Sequence, residues 1–462
     1  MLRSNLRVKT VALVISVSLA SLALPASALE IADVWRAASQ NDPGIQAARA
    51  ANDAGRARRQ QADSLWRPVV ALEGAAGWGG YESTMRGAQF ALPGSAPVKG
   101  VTFDTSVTSG TSTKVIVAVR QPLLNAERSA QENQLKIAAD AADTEWGDAQ
   151  QMLMLQSAER YFAVALANQR LALLLRQQLA VDKALVEAKD RFKLGDRPVI
   201  DVHEAQARAD ALQAQRSVLE TELELARVML KDFSGLSPEP ATLPLPARAP
   251  LAADIGELDA WMARAASGNA MLRLADAQLQ NAQQEAAKTR GALSPSVDLF
   301  AMAGRERLSG SGDYGDSGMT INNQAIGLQL SVPLYTGGMR SARHTEAIAL
   351  AEKARAEMER ARVSVQQQVK SAWLNLKAGS SQIDALQSAA QASRARLDAT
   401  QVGREAGDRT MLDQLNAEND ASAAELALSQ ARVNLFLARL KLALLAGELE
   451  ERMLRTETAS RN

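Results

Sequence analysis

Two stretches decide the fold: GDRPVID at residues 195–201 and GDRTMLD at residues 407–413, which begin 212 residues apart. Both follow the pattern G-D-R-x-x-x-D, and a very long helical pattern precedes each of them. A shorter helical pattern follows each stretch and ends at Gly235 or at Gly447. Because the turn and its flanking patterns recur together, the sequence predicts an internal duplication.

The N-terminus has the pattern of an export signal. Three basic residues precede an apolar run at 11–24, and the small-x-small pattern of a cleavage site follows at 26–28. The run is too short to span a membrane comfortably. We therefore predict a secretory signal peptide at residues 1–28 that is cleaved after Ala28.

The composition is typical of long helices rather than of a globular enzyme. Aromatic residues make up only 4% of the chain, and there is no cysteine to form disulfides or to carry an N-terminal lipid. A formal net charge of zero argues against a nucleic-acid partner. The two histidines, His203 and His344, lack neighbouring ligands, and no phosphate-binding loop occurs. We expect no catalytic residue, no metal and no cofactor, so the protein is predicted not to be an enzyme.

Each half begins with a helical pattern and then changes to the two-residue period of strands. The helical patterns cover 31–66, interrupted near Asn41-Asp42-Pro43, and 258–293; the predicted strands are 69–77, 113–121, 297–303 and 324–332. In the last strand Ile326, Leu328 and Leu330 alternate with small or polar residues. A soluble sandwich explains any one strand, but four such strands in an exported chain favour an outer-membrane barrel.

In each half, a loop is predicted between the two strands, and a long helix and a return helix are predicted after them. Residues 81–110 and 305–323 are rich in Gly, Ser, Thr and Asp and are predicted to be surface loops. Long helices are predicted at 123–194 and 335–406, and each makes a rod of roughly 105–110 Å. Return helices at 199–234 and 411–446 have apolar residues at alternating spacings of four and three, which is a heptad pattern. A soluble antiparallel coiled coil explains this seam equally well but leaves the strands unexplained.

The resulting organisation is a signal peptide at 1–28, a first repeat at 29–235, a linker at 236–253, a second repeat at 254–447 and a tail at 448–462. Four strands leave open edges that lipid cannot satisfy, so several chains must complete one barrel. Two chains give eight strands and three give twelve, and both numbers are allowed.

This order of elements resembles the TolC family of outer-membrane channel-tunnels. The residues that carry the resemblance are Asn41-Asp42-Pro43, the strand exit PLYTGG at 333–338 and the two glycine turns. The resemblance implies a homotrimer in outer-membrane lipid, mainly α, with a 12-stranded β-barrel continued by a periplasmic α-helical barrel. It also implies an export duct for efflux or type I secretion, working with a periplasmic adaptor and an inner-membrane ABC or proton-driven pump. The alternative is a structural or adhesive coiled-coil envelope protein without a pore.

The resemblance also implies roles for the two turns, which it places at the periplasmic tip. An adaptor would dock at Gly195, Asp196, Arg197, Gly407 and Asp408. Asp413, with Asn416 on the same helical face, would line the closing aperture. Arg404 and Arg409 lie beside the second turn, and we hypothesise that one of them pairs with Asp201 as an ionic latch. The alternative is that Asp201 and Asp413 only cap the return helices.

Overall fold

The computed structural model describes residues 29–196, 198–237, 243–246, 255–313 and 315–455. The predicted signal peptide with its cleavage at Ala28 lies outside these residues. So do Arg197, most of the predicted linker and the last part of the predicted tail.

The described residues form helices and strands in the same order in both halves. The first half contains α1 (Ile31–Asn41), α2 (Pro43–Ser64), β1 (Val69–Phe90), β2 (Val98–Leu124), α3 (Ala126–Lys193) and α4 (Val199–Ser234). The second half contains α5 (Leu258–Gly268), α6 (Ala270–Gly291), β3 (Ser296–Gly312), β4 (Gly315–Ser331), α7 (Met339–Glu405) and α8 (Met411–Leu445). A short 3-10 helix follows at Glu451–Leu454.

The helical pattern at the start of each half is broken into two helices by a side-chain cap. The Asp42 carboxylate accepts a hydrogen bond from the Ile45 amide at 2.9 Å and begins α2, with Pro43 at the first helical position. In the second half Asn269 does the same for α6, accepting from the Leu272 amide at 3.2 Å. The sequence pattern indicated the first break and missed the second.

The long helices α3 and α7 contain 68 and 67 residues, or about 100 Å each at a rise of about 1.5 Å per residue. Both begin later than predicted. Asn125 caps α3 by accepting from the Arg128 amide at 3.0 Å. Before α7, Gly337 and Gly338 have φ angles of 64° and 82°, which a right-handed helix does not accommodate. None of the described helices is long and apolar enough to cross a membrane.

The four strands form one antiparallel sheet in the order β1-β2-β3-β4. They run well past their predicted ends, and the prediction of surface loops at 81–110 and 305–323 is wrong for most of both segments. β1 and β2 stay paired as far as Phe90 and Val98, and β3 and β4 as far as Gly312 and Gly315. The backbone of Gly, Ser and Thr residues pairs as completely as that of apolar residues, so composition concealed these strands.

The two faces of the sheet differ in polarity. On one face, large apolar side chains are 65–72% exposed: Val70, Leu72, Leu328 and Leu330. The other face is mixed, with the charged residues Glu73, Lys114 and Arg120 beside the apolar residues Val69 and Met302. Here Arg120 Nε donates to the Asp298 carboxylate at 3.0 Å. An apolar surface of this extent is not stable against water and marks contact with an apolar environment or partner.

The largest apolar core lies where α1, α3, α4 and α8 meet. Phe162, Leu230 and Val433 are buried there, and the Phe162 ring packs edge-on against Phe436 at 5.4 Å between centroids. The buried Tyr161 hydroxyl lies 3.1 Å from the Leu29 carbonyl oxygen and 3.2 Å from that of Pro244. This core joins the two halves of the chain.

Candidate functional site

The turn between α3 and α4 and the turn between α7 and α8 lie together and form the helical tip. A cavity of about 370 Å³ lies between them. Side chains from both halves line it, among them Glu187, Asp201, Arg208, Arg404 and Arg409. The structure therefore brings together Asp201, Arg404 and Arg409, which the sequence placed in two different repeats.

Glycine makes both turns possible because each turn needs a left-handed residue. Gly195 has φ 75° and Gly407 has φ 84°, and a Cβ at either position would meet no atom within 4 Å. The Asp408 amide donates to the Gly403 carbonyl at 2.8 Å, and the Asp196 amide donates to the Arg191 carbonyl at 2.9 Å. The glycines thus satisfy a backbone requirement of the chain itself. Their predicted role in adaptor docking stays a prediction.

Asp413 is part of a reciprocal cap at the start of α8. Its amide donates to the Thr410 hydroxyl at 3.1 Å, and its carboxylate accepts from the Thr410 amide at 2.9 Å. Hydrogen bonds from the Thr410 amide and hydroxyl hold the pKa of Asp413 below its usual value. The capping alternative therefore has direct geometric support for Asp413, while capping by Asp201 and a role of Asp413 at an aperture stay predictions.

Arg404 forms an ion pair with a residue that sequence reasoning missed. Its Nη1 lies 2.9 Å from Oε2 of Glu187 on α3, and both side chains are about one-third exposed. The other oxygen of Glu187 lies 2.9 Å from Nη2 of Arg191. Arg404 thus links the α7–α8 hairpin to the α3–α4 hairpin, while its predicted pairing with Asp201 stays a prediction. Arg409 packs its side chain against Gly403 in the last turn of α7.

A second link joins the two return helices. Arg208 on α4 donates through Nη2 to the side-chain oxygen of Asn416 on α8 at 2.7 Å. The Asn416 side chain therefore binds a guanidinium group from the first half of the chain.

Glu418 lies one turn beyond Leu415 and faces a neighbouring cavity with Glu187 and Arg404. Burial raises the pKa of Glu418, although Arg176 partly offsets this.

Between the tip and the core, α3 and α8 meet through polar side chains. Gln169 donates to the Ser429 hydroxyl at 2.9 Å, and Gln177 donates to the Asn419 side chain at 3.3 Å. Arg176 lies 3.7 Å from Glu425. Such contacts exchange readily for water and contribute little net stability. Nearer the tip a smaller apolar cluster also joins the hairpins, formed by buried Val181 and Ala184 of α3, Ala209 of α4 and Leu415 of α8. The two hairpins are therefore held most firmly at the large core and by smaller contacts towards the tip.

The sequence carried a partial signal for Glu187 and none for Arg208. Glu187 stands four residues before Arg191, a spacing that predicts an ion pair within one helix. The heptad seams indicate which residues face each other inside a hairpin. They do not indicate which hairpins are neighbours, so the contacts between hairpins could not be read from spacing.

Comparison with known proteins gives consistent matches. A family model described as outer membrane efflux protein matches residues 34–236 and 261–448. Outer membrane protein TolC of Vibrio cholerae serotype O1 is 26% identical over 452 residues, which is 96% of each chain. The proteases secretion protein PrtF of Dickeya chrysanthemi is 26% identical over 437 residues, 92% of this chain and 90% of the relative. The outer membrane protein VceC from Vibrio cholerae has the same fold, with a TM-score of 0.69 at 19% identity over 90% of this chain and 96% of the other.

Proposed function

Because the chain belongs to the outer membrane efflux protein family, we propose that it is the outer-membrane duct through which an efflux or type I secretion system exports its substrate. The protein resides in the outer membrane and is a transport protein rather than an enzyme. The observation that carries the proposal is a sheet with one exposed apolar face, joined in the same chain to helices of 68 and 67 residues. One part suits lipid and the other suits a water-filled space about 100 Å deep.

Assembly follows from the open edges of β1 and β4. Backbone groups at these edges need partners in lipid, so copies of the chain pair β4 of one with β1 of the next. We propose three copies, as the TolC resemblance implies, which gives a closed barrel of twelve strands. The duplicated helices then continue it as an α-helical barrel in the periplasm. A periplasmic adaptor and an inner-membrane pump supply the energy, since such a duct has no energy source of its own.

In this arrangement the helical tip is the periplasmic end and its gate. The contact between α3 and α8 is polar apart from the small cluster around Val181 and Leu415, and its limited extent lets the α7–α8 hairpin move away from α3, while the Phe162 core stays fixed. The Arg404–Glu187 pair and the Arg208–Asn416 bond hold the closed position in each copy. Asp413 and Asp201 lie beside these links, and Gly195, Asp196, Gly407 and Asp408 present the turns to the adaptor.

The test of the duct is single-channel conductance of the purified protein in planar bilayers. We expect a small conductance that rises when Arg404 and Arg409 are both replaced by Ser. A large native conductance that these changes do not alter would support the duct but show that its gate does not lie at the helical tip. A folded, membrane-inserted oligomer that does not conduct would favour the structural or adhesive alternative.

A matched pair of variants tests which face of the sheet meets lipid. Leu328 lies on the apolar face of β4, and the next residue, Gln329, lies on the opposite face. Leu328→Arg places a charge in the bilayer at a cost of up to about 2–4 kcal/mol per copy, so insertion into membranes should fall. Gln329→Arg should insert and conduct. Equal insertion of both variants would contradict the proposed barrel.

A further inference from the structure

The first hairpin of the sheet extends beyond the second. β2 and β3 are paired as far as Ser109 and Ser311, and the β3–β4 turn closes immediately beyond. β1 and β2 continue together from Tyr81 and Val107 to Phe90 and Val98. These paired residues, 81–90 and 98–107, form a two-stranded extension that we call the arm. Ten residues of β1 give it a length of roughly 30 Å.

The arm has one apolar face and one polar face. Side chains of paired residues lie on the same face of a two-stranded ribbon. The pairing puts on one face the uncharged pair Ser83–Thr105 together with eight apolar residues: Tyr81, Met85, Ala88, Phe90, Val98, Val101, Phe103 and Val107. The Phe90 and Phe103 rings lie 5.8 Å apart, as this assignment requires. The charged residues Glu82 and Asp104, which pair with Ser106 and Thr84, lie on the other face. A register shift between Met85 and Ala88 brings Ala88 and Phe90 to the apolar face.

At the base of the arm, the apolar side chains move from one face of the β1–β2 hairpin to the opposite face. Below it, Val70, Leu72 and Trp78 project from one face and Glu73 from the other, because alternate residues of a strand face opposite ways. The pair Gly79–Gly110 lies on the Glu73 face, and the next pair, Tyr81–Val107, follows it on that same face. The apolar face of the arm therefore continues the mixed face of the sheet.

The arm is fixed to the rest of the sheet at its base. The Asp313 amide donates to the Ser106 hydroxyl at 3.0 Å, and Val107 is only 4% exposed. Gly310 and Gly312 lie so close to the backbone at Ser109 and Ser106 that neither has room for a Cβ. These contacts set the direction of the arm. Its upper side chains remain uncovered, with Met85 60% and Phe90 42% exposed.

We propose that the arms of the copies in one barrel pack their apolar faces together across the outer mouth and narrow the exit. This inference rests on the proposed function, because the lower apolar face must meet lipid for the upper one to face the barrel axis. A second copy is the occupant that fits. Copies arranged around one axis direct identical apolar faces at each other, whereas lipid lies on the side where Glu82 and Asp104 project.

Single cysteines test the packing, since the chain contains none of its own. Met85→Cys lies on the apolar face, and Thr84→Cys beside it on the polar face is the matched control. Disulfides require Cβ atoms within about 3.5–4.5 Å. Mild oxidation of the full-length protein should cross-link Met85→Cys chains into pairs and leave Thr84→Cys monomeric on a denaturing gel. Phe90→Cys and Gln89→Cys repeat the comparison nearer the end of the arm.

Conductance provides the second measurement. Phe90→Ser with Phe103→Ser removes the aromatic pair and should raise the conductance at least twofold, while Glu82→Gln should leave it unchanged. The inference is overturned if the Met85 and Phe90 cysteines stay monomeric, react with an aqueous maleimide as fast as their controls, and the serine pair conducts like the native protein. That result leaves the duct intact. Absence of channels from native protein and variants alike would instead refute the proposed function.

Discussion

Replacing Arg404 by Ser should open the duct, and the structure gives the size of the effect. The Arg404–Glu187 pair is 33% and 35% exposed and joins two hairpins at 2.9 Å. A partly exposed pair of this kind contributes about 1 kcal/mol. Glu187 keeps Arg191 as a partner after the change, so no uncompensated charge is left to inflate the cost. In the proposed trimer the closed state would lose about 3 kcal/mol, which is roughly a hundredfold in the open-to-closed ratio.

The assay is the open fraction of single channels in planar bilayers, compared with Arg396→Ser. Arg396 pairs with Asp420 at 2.8 Å, but both residues belong to the α7–α8 hairpin, so its loss should not favour separation of the two hairpins. Glu187→Gln should resemble Arg404→Ser. The reasoning is refuted if Arg404→Ser keeps the native open fraction, or if Arg396→Ser raises it equally. High salt should reduce the difference between native protein and Arg404→Ser, because it screens exposed pairs.

Three further predictions concern stability. Asp413 has a lowered pKa in the folded protein, so its stabilising effect is present above its unfolded pKa and lost as the pH falls through the folded value; amide protection factors in the first turn of α8, corrected for the slower intrinsic exchange at lower pH, should fall on acidification, and Asp413→Ala should abolish that change. Glu418 has a raised pKa from burial, so Glu418→Gln should raise the urea midpoint at pH 7 and lose this advantage at a pH where Glu418 is protonated. Tyr161→Phe removes the hydroxyl that contacts the Leu29 and Pro244 carbonyls and should lower the free energy of unfolding by about 1–2 kcal/mol in urea titrations, with no change in conductance.

The sequence predicted best where a residue imposes a backbone conformation. Gly235, with φ 75°, ends α4 at Ser234, and Thr410 caps α8 at Met411; the sequence indicated both places because glycine and capping residues act locally. It predicted β1 and β2 poorly above Gly79, because three register shifts, one at the base of the arm and two within it, interrupt the two-residue period there. Pairing with the neighbouring strand, rather than side-chain alternation, maintains β1 as far as Phe90.

The site was predictable in part for a related reason. Repetition of the glycine turns marked the tip and led to Arg404, Arg409 and Asp201, which line one cavity. Glu187 contacts Arg404 across 217 positions of the chain, and no periodic pattern within either helix indicates a partner at such a distance. Capping by Asp413 could be read from its spacing to Thr410, whereas the bond between Arg208 and Asn416 required the packing of two separate hairpins.

The pairing of β2 with β3 has a consequence for biogenesis. It joins Arg120 to Phe300, and β4 ends at Ser331, so the chain must be synthesised and exported as far as Ser331 before the sheet can be completed. The helical hairpin α3–α4 is local by comparison and can form before β3 and β4 are exported, because closing a short loop costs less entropy. We expect the nascent protein to travel with its lipid-compatible surface unassembled. Delayed completion of that surface would keep the chain from inserting into the first membrane it encounters.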